Sequence, residues 1–293
     1  MTKAAKLTTP RTLQLGPLTV TTGADDIARM AILLWGPATC GKTTFAATAP
    51  GRKLWLSFGD NEHVSVMHRP DVLITKPFEL SIDELFKQAQ SDNPFGLDRF
   101  LAENEDVETV VIDSLTAITY RALQKAVADN VGAGRGFVPT MEAPGISAYG
   151  GRNAIVLETI TGLLRITAKH NVHVIVTAHE DDPVTRTENN KEIIDYITVQ
   201  LGGKLVNNMT WRLSEVWYMS QEDTGERRRR LAVRPTRLRR PMKTRMFDAR
   251  VAPEFYLGYD ADKPDKGQVT ISSFYEQWTK NKGAKIATPG GKK

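Results

Sequence analysis

The chain has 293 residues, of which 41% are apolar, enough for one large α/β domain or two small ones. Its net charge is +5, so the placement of the cations matters more than their excess. Cys40 is the only cysteine, which excludes an intrachain disulfide and a cysteine-built metal cage and fits a reducing, cytoplasmic compartment. The lysine-bearing N-terminus has no apolar run behind it, so no secretory signal is expected. No apolar run approaches the roughly 18 residues a membrane helix needs, and no membrane association is expected.

In chain order, residues 1–27 are polar and Thr-rich and are read as an arm with one short strand at Leu13–Val20. A strand at Met30–Trp35 then runs into Gly36-Pro37-Ala38-Thr39-Cys40-Gly41-Lys42-Thr43-Thr44, with a helix-compatible stretch at Phe45–Ala49 behind it. Strand, G-x-x-x-x-G-K-T and helix together form the context of a phosphate-binding loop. Two glycines let successive N–H groups converge on phosphate oxygens, and the helix start aims its positive end at the same anion. Gly36 to Thr44 are therefore expected to hold ATP. Lys42 is expected at the β- and γ-phosphates, and the Thr43 hydroxyl on Mg²⁺.

Further strands are expected at Lys53–Phe58, Val72–Thr75 and Thr109–Ile112. Ser81-Ile82-Asp83-Glu84 reads as a capping box opening a helix with Leu85 and Phe86 inward, and a short helix covers Leu97–Glu103. The β-branched run Thr109–Ile112 reads as a strand buried on both faces. It ends in Asp113, which supplies the acidic group for the Mg²⁺ shell, and a helix follows to about Ala128. Residues 131–153, rich in glycine and arginine, read as a long functional loop. A helix at Asn153–Lys169, a buried strand at His173–Ala178 and a polar, flexible Asp181–Asp195 come next.

A helix at Val199–Asn207 precedes two antiparallel strands, Thr210–Ser220 and Arg228–Arg234, joined by a turn with Glu222-Asp223-Thr224-Gly225. Asn281–Lys293 reads as a disordered basic tail without core residues. The expected fold is α/β, with a mainly parallel central sheet flanked by helices and a C-terminal antiparallel hairpin. The ligand belongs at the carboxyl ends of its strands. The expected units are an arm at 1–27, one ATPase domain at 28–278 and the tail at 279–293.

The order of P-loop, D-x-E-H (Asp60-Asn61-Glu62-His63) after the next strand, and V-V-I-D-S ending in Asp113-Ser114 resembles the RecA-type ATPase core. That resemblance implies that Glu62 activates the attacking water, with Asp60 as the alternative. It also places His179, where RecA has glutamine, at a γ-phosphate sensor position. Pro241-Met242-Lys243-Thr244-Arg245-Met246-Phe247 resembles the K-x-R element by which Lys243 and Arg245 would reach a neighbouring subunit's nucleotide. The same cations could instead belong to the wider arginine face of Arg227–Arg230, Arg234, Arg237, Arg239, Arg240 and Arg250.

Over roughly residues 29–250 the layout resembles the phage-type RecA-like ATPases of single-strand annealing recombination, a minimal core that would work in the host cytoplasm. The resemblance implies single-stranded DNA as partner and a head-to-tail homo-oligomer, ring or filament. It assigns DNA contact to Gly132–Arg152, which carries Arg135, Phe137, Tyr149 and Arg152, and to Asp181–Glu192, which is acidic. The glycine-rich loop could equally be a lid or an oligomer contact. The alternatives are a RecA-like nucleotide-dependent switch or a small-molecule kinase without DNA. A GTPase is disfavoured, because the nearest match to N-K-x-D is Asn281-Lys282-Gly283-Ala284 in the tail.

Overall fold

The computed structural model describes residues 29–130, 139–189, 191–222, 228–257, 269–281, 283 and 285–286, together with the backbone of 13–15 and 18–20. The N-terminal stretch expected as one strand is two, β1 (Leu13–Leu15) and β2 (Leu18–Val20), paired antiparallel. The chain then runs β3 (Ala31–Gly36), α1 (Lys42–Ala46), β4 (Arg52–Ser57), β5 (Val72–Thr75), α2 (Ile82–Ala89), α3 (Leu97–Glu103), β6 (Val107–Asp113) and α4 (Leu115–Asn130). Next come α5 (Gly145–Lys169), β7 (His173–His179), β8 (Val184–Glu188), β9 (Lys191–Tyr196) and α6 (Lys204–Arg212). The last elements are β10 (Glu215–Gln221), β11 (Arg229–Ala232), β12 (Glu254–Leu257) and α7 (Ile271–Lys280).

Among the described residues the main sheet has eight strands in the order β12-β11-β10-β3-β7-β6-β4-β5. The six from β10 to β5 are parallel, and β10, β11 and β12 pair antiparallel. Side chains of a strand alternate between faces, and the central strands bury both. Leu33, Trp35, Val110, Ile112, Val174 and Val176 face the core shared with α2 to α6. Ile32, Leu34, Trp55, Val111, Ile175 and Trp217 face the opposite core, under Phe45 of α1 and Ile271 and Phe274 of α7. The result is a three-layer α/β sandwich.

After β3 the chain crosses three places along the sheet to β4 and returns, so that β7 lies between the P-loop strand β3 and the acidic strand β6. Gly36 is in register with His179, and Ser57 with Asp113. The ends of β3, β4, β6 and β7 therefore meet at one edge, the crevice where open α/β sheets take ligands. No helix among the described residues is long and apolar enough to cross a membrane.

Four expectations need correction. Residues 145–153 are not loop but the first turns of α5, where Gly151 lies against Ala126 of α4; the loop residues 131–138, with Arg135 and Phe137, lie outside the described residues. The polar 181–195 stretch is a hairpin, β8–β9, in which the β-branched Thr185 and Ile194 face each other. The helix expected at Val199–Asn207 sits five residues later, since Gly202 and Gly203 (φ +73° and +55°) hold the turn that precedes it. The boundary at 278 falls inside α7, and Ile286 is a core residue whose N–H donates to the Met246 carbonyl, so of the expected tail 282, 284 and 287–293 lie outside the described residues. Residues 1–12, 16–17 and 21–27 of the expected arm, and Asp223, Thr224 and Gly225 of the expected turn, also lie outside them.

Candidate functional site

The P-loop is built by β3 running straight into Gly36. That residue sits at φ +152°, and a Cβ there would lie 2.0 Å from the Met219 carbonyl oxygen of β10, so only glycine lets the two backbones approach. Ala38 and Thr39 are exposed at the crest, while Cys40 and Lys42 are buried. Gly41 caps α1 in the left-handed region at φ +96°. Lys42 Nζ donates to the carbonyls of Gly36 (3.0 Å) and Pro37 (2.6 Å), closing the loop on itself. Burial pushes the Cys40 thiol up, against the opposing pull of Lys42 and Arg229.

Asp113 ends β6 and is 3% exposed. Its Oδ2 accepts from Thr43 Oγ1 and from Trp55 Nε1, both at 3.2 Å, and its Oδ1 accepts from Thr177 Oγ1 of β7. Burial and the nearby Glu62 carboxylate push the Asp113 carboxyl up to about 7. A cation here would hold it ionised. Thr43 and Asp113 offer the hard oxygens that Mg²⁺ takes, leaving other positions for water and phosphate. The residues present fit Mg²⁺.

Glu62 reaches the same edge from the turn after β4. Its Oε1 accepts from Ser114 Oγ (2.7 Å) and its Oε2 from the Gly59 N–H (2.9 Å). Burial raises its pKa against those hydrogen bonds and the Lys42 charge. Asp60, the alternative, is exposed. His179 ends β7 beside the P-loop; its N–H donates to Thr116 Oγ1 (2.9 Å), and burial, followed by the Lys42 charge, lowers its imidazole pKa. Behind these groups lies a cavity of about 560 Å³ lined by Glu62, Tyr120, Tyr149, Arg152, His179 and Gln200 among others.

Lys42, Thr43, Asp113, Glu62 and His179 thus converge. Lys243 and Arg245 do not join them. Lys243 bridges Val216, whose register partner Leu33 lies three residues before Gly36. Its Nζ donates to the carbonyls of Leu213 (2.8 Å) and Thr210 (3.3 Å) at the end of α6. Arg245 is exposed. What holds this segment is Glu215, a residue the sequence reading missed. One oxygen accepts from the N–H groups of Arg245 (2.7 Å) and Met246 (3.1 Å), and the other from Thr244 Oγ1 (2.6 Å) and Trp217 Nε1 (2.9 Å). A lone glutamate opening the apolar run Val216-Trp217-Tyr218-Met219 was its one signal. Arg152, read as an open DNA contact, is 8% exposed, stacked on Tyr149 at 5.0 Å and bonded to Asn153 Oδ1.

Residues 28–244 match the AAA_24 family model, described as AAA domain, which covers well over half the chain. The chain belongs to this AAA-domain family. Family membership and the P-loop site together support ATP binding and hydrolysis. Similar solved structures include a RadB recombinase (TM-score 0.42, 14% identity, covering 80% of this chain and 89% of that one). They also include a KaiC-like protein from the hyperthermophilic archaeon Pyrococcus horikoshii OT3 (TM-score 0.41, 14% identity, covering 80% and 87%). No curated protein matches this AAA-domain chain.

Proposed function

We propose that this AAA-domain protein hydrolyses Mg-ATP at the edge formed by β3, β4, β6 and β7, and acts on single-stranded DNA in phage-type annealing or strand exchange. The observation that carries the ATPase reading is the convergence of Lys42, Thr43, Asp113, Glu62 and His179 on one edge. In this reading Lys42 exchanges its Gly36 and Pro37 carbonyls for phosphate oxygens. Thr43 and Asp113 hold Mg²⁺, which supplies charge neutralisation at the phosphates. Glu62, with a carboxyl pKa raised by burial and an orientation fixed by Ser114 and Gly59, accepts the water proton. His179, neutral beside Lys42, senses the terminal phosphate. The ATPase unit is proposed to run from residue 28 to Ile286, between an N-terminal arm and a short basic tail.

The DNA part of the reading rests on the resemblance and on the cavity next to Glu62 and His179. Tyr120 and Tyr149 are 57% and 43% exposed at its rim, and aromatic faces of this kind stack bases in a sequence-tolerant way. A strand bound there would touch the groups that handle the terminal phosphate, which is how DNA would change turnover. The arginines at 234–240 add phosphate contacts whose strength falls with salt. The test is fluorescence anisotropy of a labelled single strand with a non-hydrolysable ATP analogue. Tyr120→Ala and Tyr149→Ala should each weaken binding about 10-fold. Equal affinity of wild type and both variants at low and high salt would contradict DNA binding at this cavity.

Lys243 and Arg245, remote from their own P-loop, are proposed to serve the nucleotide of a neighbouring copy in a head-to-tail ring or filament.

A further inference from the structure

Arg228, Arg229 and Arg230, the described part of a run of four arginines, lead into the sheet at β11, which begins at Arg229. Successive side chains of a strand point to opposite faces. Arg228 and Arg230 both lie over the Tyr256 ring, at 5.7 and 4.7 Å from its centroid, and Arg230 also pairs with Glu222. Arg229 therefore points the other way, and there it meets the P-loop. A Cβ placed on Gly41 would lie 2.6 Å from Arg229 Nε and 3.0 Å from its Cζ. The second glycine of the P-loop thus serves two needs: its own left-handed backbone, and room for a guanidinium against the loop.

The sheet order fixes the side from which this cation arrives. β11 and β10 flank β3 on one side; β7 and β6, with Asp113, flank it on the other. Glu62 and His179 belong to the Asp113 side, where the terminal phosphate and the attacking water would lie. Arg229 stands at the opposite flank of the loop. Arginine offers a planar fork matched to phosphate oxygens, and its charge does not titrate away.

We propose that Arg229 is a second cation of the nucleotide site, contacting in cis the phosphates nearer the ribose of the ATP bound to its own P-loop. The proposal rests on the P-loop ATPase reading and adds a role distinct from that of Arg245. Those phosphates are common to ATP and ADP, and their charge changes little as the terminal phosphate departs. Contact with them stabilises bound substrate and transition state alike, so it sets affinity and leaves the chemical step unchanged.

The experiment compares wild type, Arg229→Ala, Arg229→Gln, Arg229→Lys, Arg228→Ala and Lys42→Ala. It measures Kd for ATP and ADP by calorimetry, steady-state KM and kcat, and a melting curve for each. Arg229→Ala is expected to raise Kd for both nucleotides by about 10–100-fold, the loss of a hydrogen bond to a charged group, with kcat at saturating ATP unchanged. Arg229→Lys recovers part of the affinity, and Arg228→Ala matches wild type. Arg229→Gln keeps the stem packed against Gly41, so affinity is read from it if the alanine variant melts early. Unchanged Kd for ATP and ADP in Arg229→Gln, while Lys42→Ala loses binding, overturns the Arg229 role and leaves the ATPase reading intact. A fall in kcat with unchanged Kd also overturns it. Wild type that binds neither nucleotide overturns the ATPase reading itself.

Discussion

Glu62 Oε1 accepts a hydrogen bond from Ser114 Oγ at 2.7 Å, which ties the turn after β4 to the residue directly following Asp113. The proposed base and the proposed metal ligand are held by one contact, although 51 positions separate them in sequence. Glu62→Gln keeps the shape of the side chain and removes its basicity. ATP affinity should stay within a few-fold of wild type while turnover falls by about 100-fold or more, the usual weight of a general base. Asp60→Asn, at an exposed carboxylate, should turn over normally. Rapid-quench and steady-state assays on the two variants check this, and the reverse pattern would transfer the role to Asp60.

Lys42 is buried, and its ammonium bonds within its own loop, to the Gly36 and Pro37 carbonyls and, at 4.0 Å, the Cys40 sulfur. Lys42→Ala should therefore leave the sheet intact and weaken ATP binding by roughly 100-fold, the loss of one or two charged hydrogen bonds. Calorimetric titration with a parallel circular-dichroism melt separates lost affinity from lost fold.

Glu215 predicts a stability effect far from the nucleotide. Glu215→Ala strands four donors: Trp217 Nε1, Thr244 Oγ1 and the N–H groups of Arg245 and Met246. Leaving such groups buried and unpaired should cost about 3 kcal/mol or more, seen as a lower denaturant midpoint. Glu215→Gln should fall between, because its NH₂ replaces one accepting oxygen with a donor. Loosening Thr244–Met246 should also lower turnover if Arg245 serves a neighbouring copy. In that case mixing Arg245→Ala with Lys42→Ala subunits should restore part of the activity.

His173 sets an acid limit to the fold. The ring is 4% exposed, its Nδ1 accepts the Met30 N–H at 3.0 Å, and Tyr275 packs on it at 4.3 Å. Burial, followed by the Arg29 charge, lowers its pKa to about 4. A folded pKa below the unfolded value means stability that is complete above the unfolded pKa and declines as pH falls toward 4. The loss attributable to His173 should reach about 3 kcal/mol at the acid end. His173→Gln should flatten that part of the stability profile, as followed by urea melts between pH 4 and pH 7.5.

The parts legible in the sequence were those with a short-range signature. The P-loop spacing located Gly36–Thr44, and the β-branched run before Asp113 located β6 with its acid. Val72–Thr75 and Leu97–Glu103 fall on the expected residues, because apolar spacing and local caps decide short elements. What depended on distant packing was not legible. Gly150 and Gly151 read as loop residues, yet they lie in α5, with Gly151 against Ala126 of α4. Ile286 reads as tail and is pinned by Met246 and Asp248. The alternation that turns Arg229 toward Gly41 and Arg228 and Arg230 toward Tyr256 needs a sheet to give it direction. Cys40, inside the P-loop, is 2% exposed with its pKa raised by burial, a placement its sequence context does not show.

The measurement that bears most directly on the central claim is steady-state ATP turnover by wild type and Glu62→Gln. It is run with and without Mg²⁺, and with no DNA, single-stranded DNA or duplex, at two salt concentrations. The account predicts turnover that needs Mg²⁺, rises with single strands, loses that rise at high salt and collapses in Glu62→Gln. Turnover indifferent to Glu62 would contradict the proposed site, and turnover equal in the presence and absence of every DNA would contradict the proposed partner.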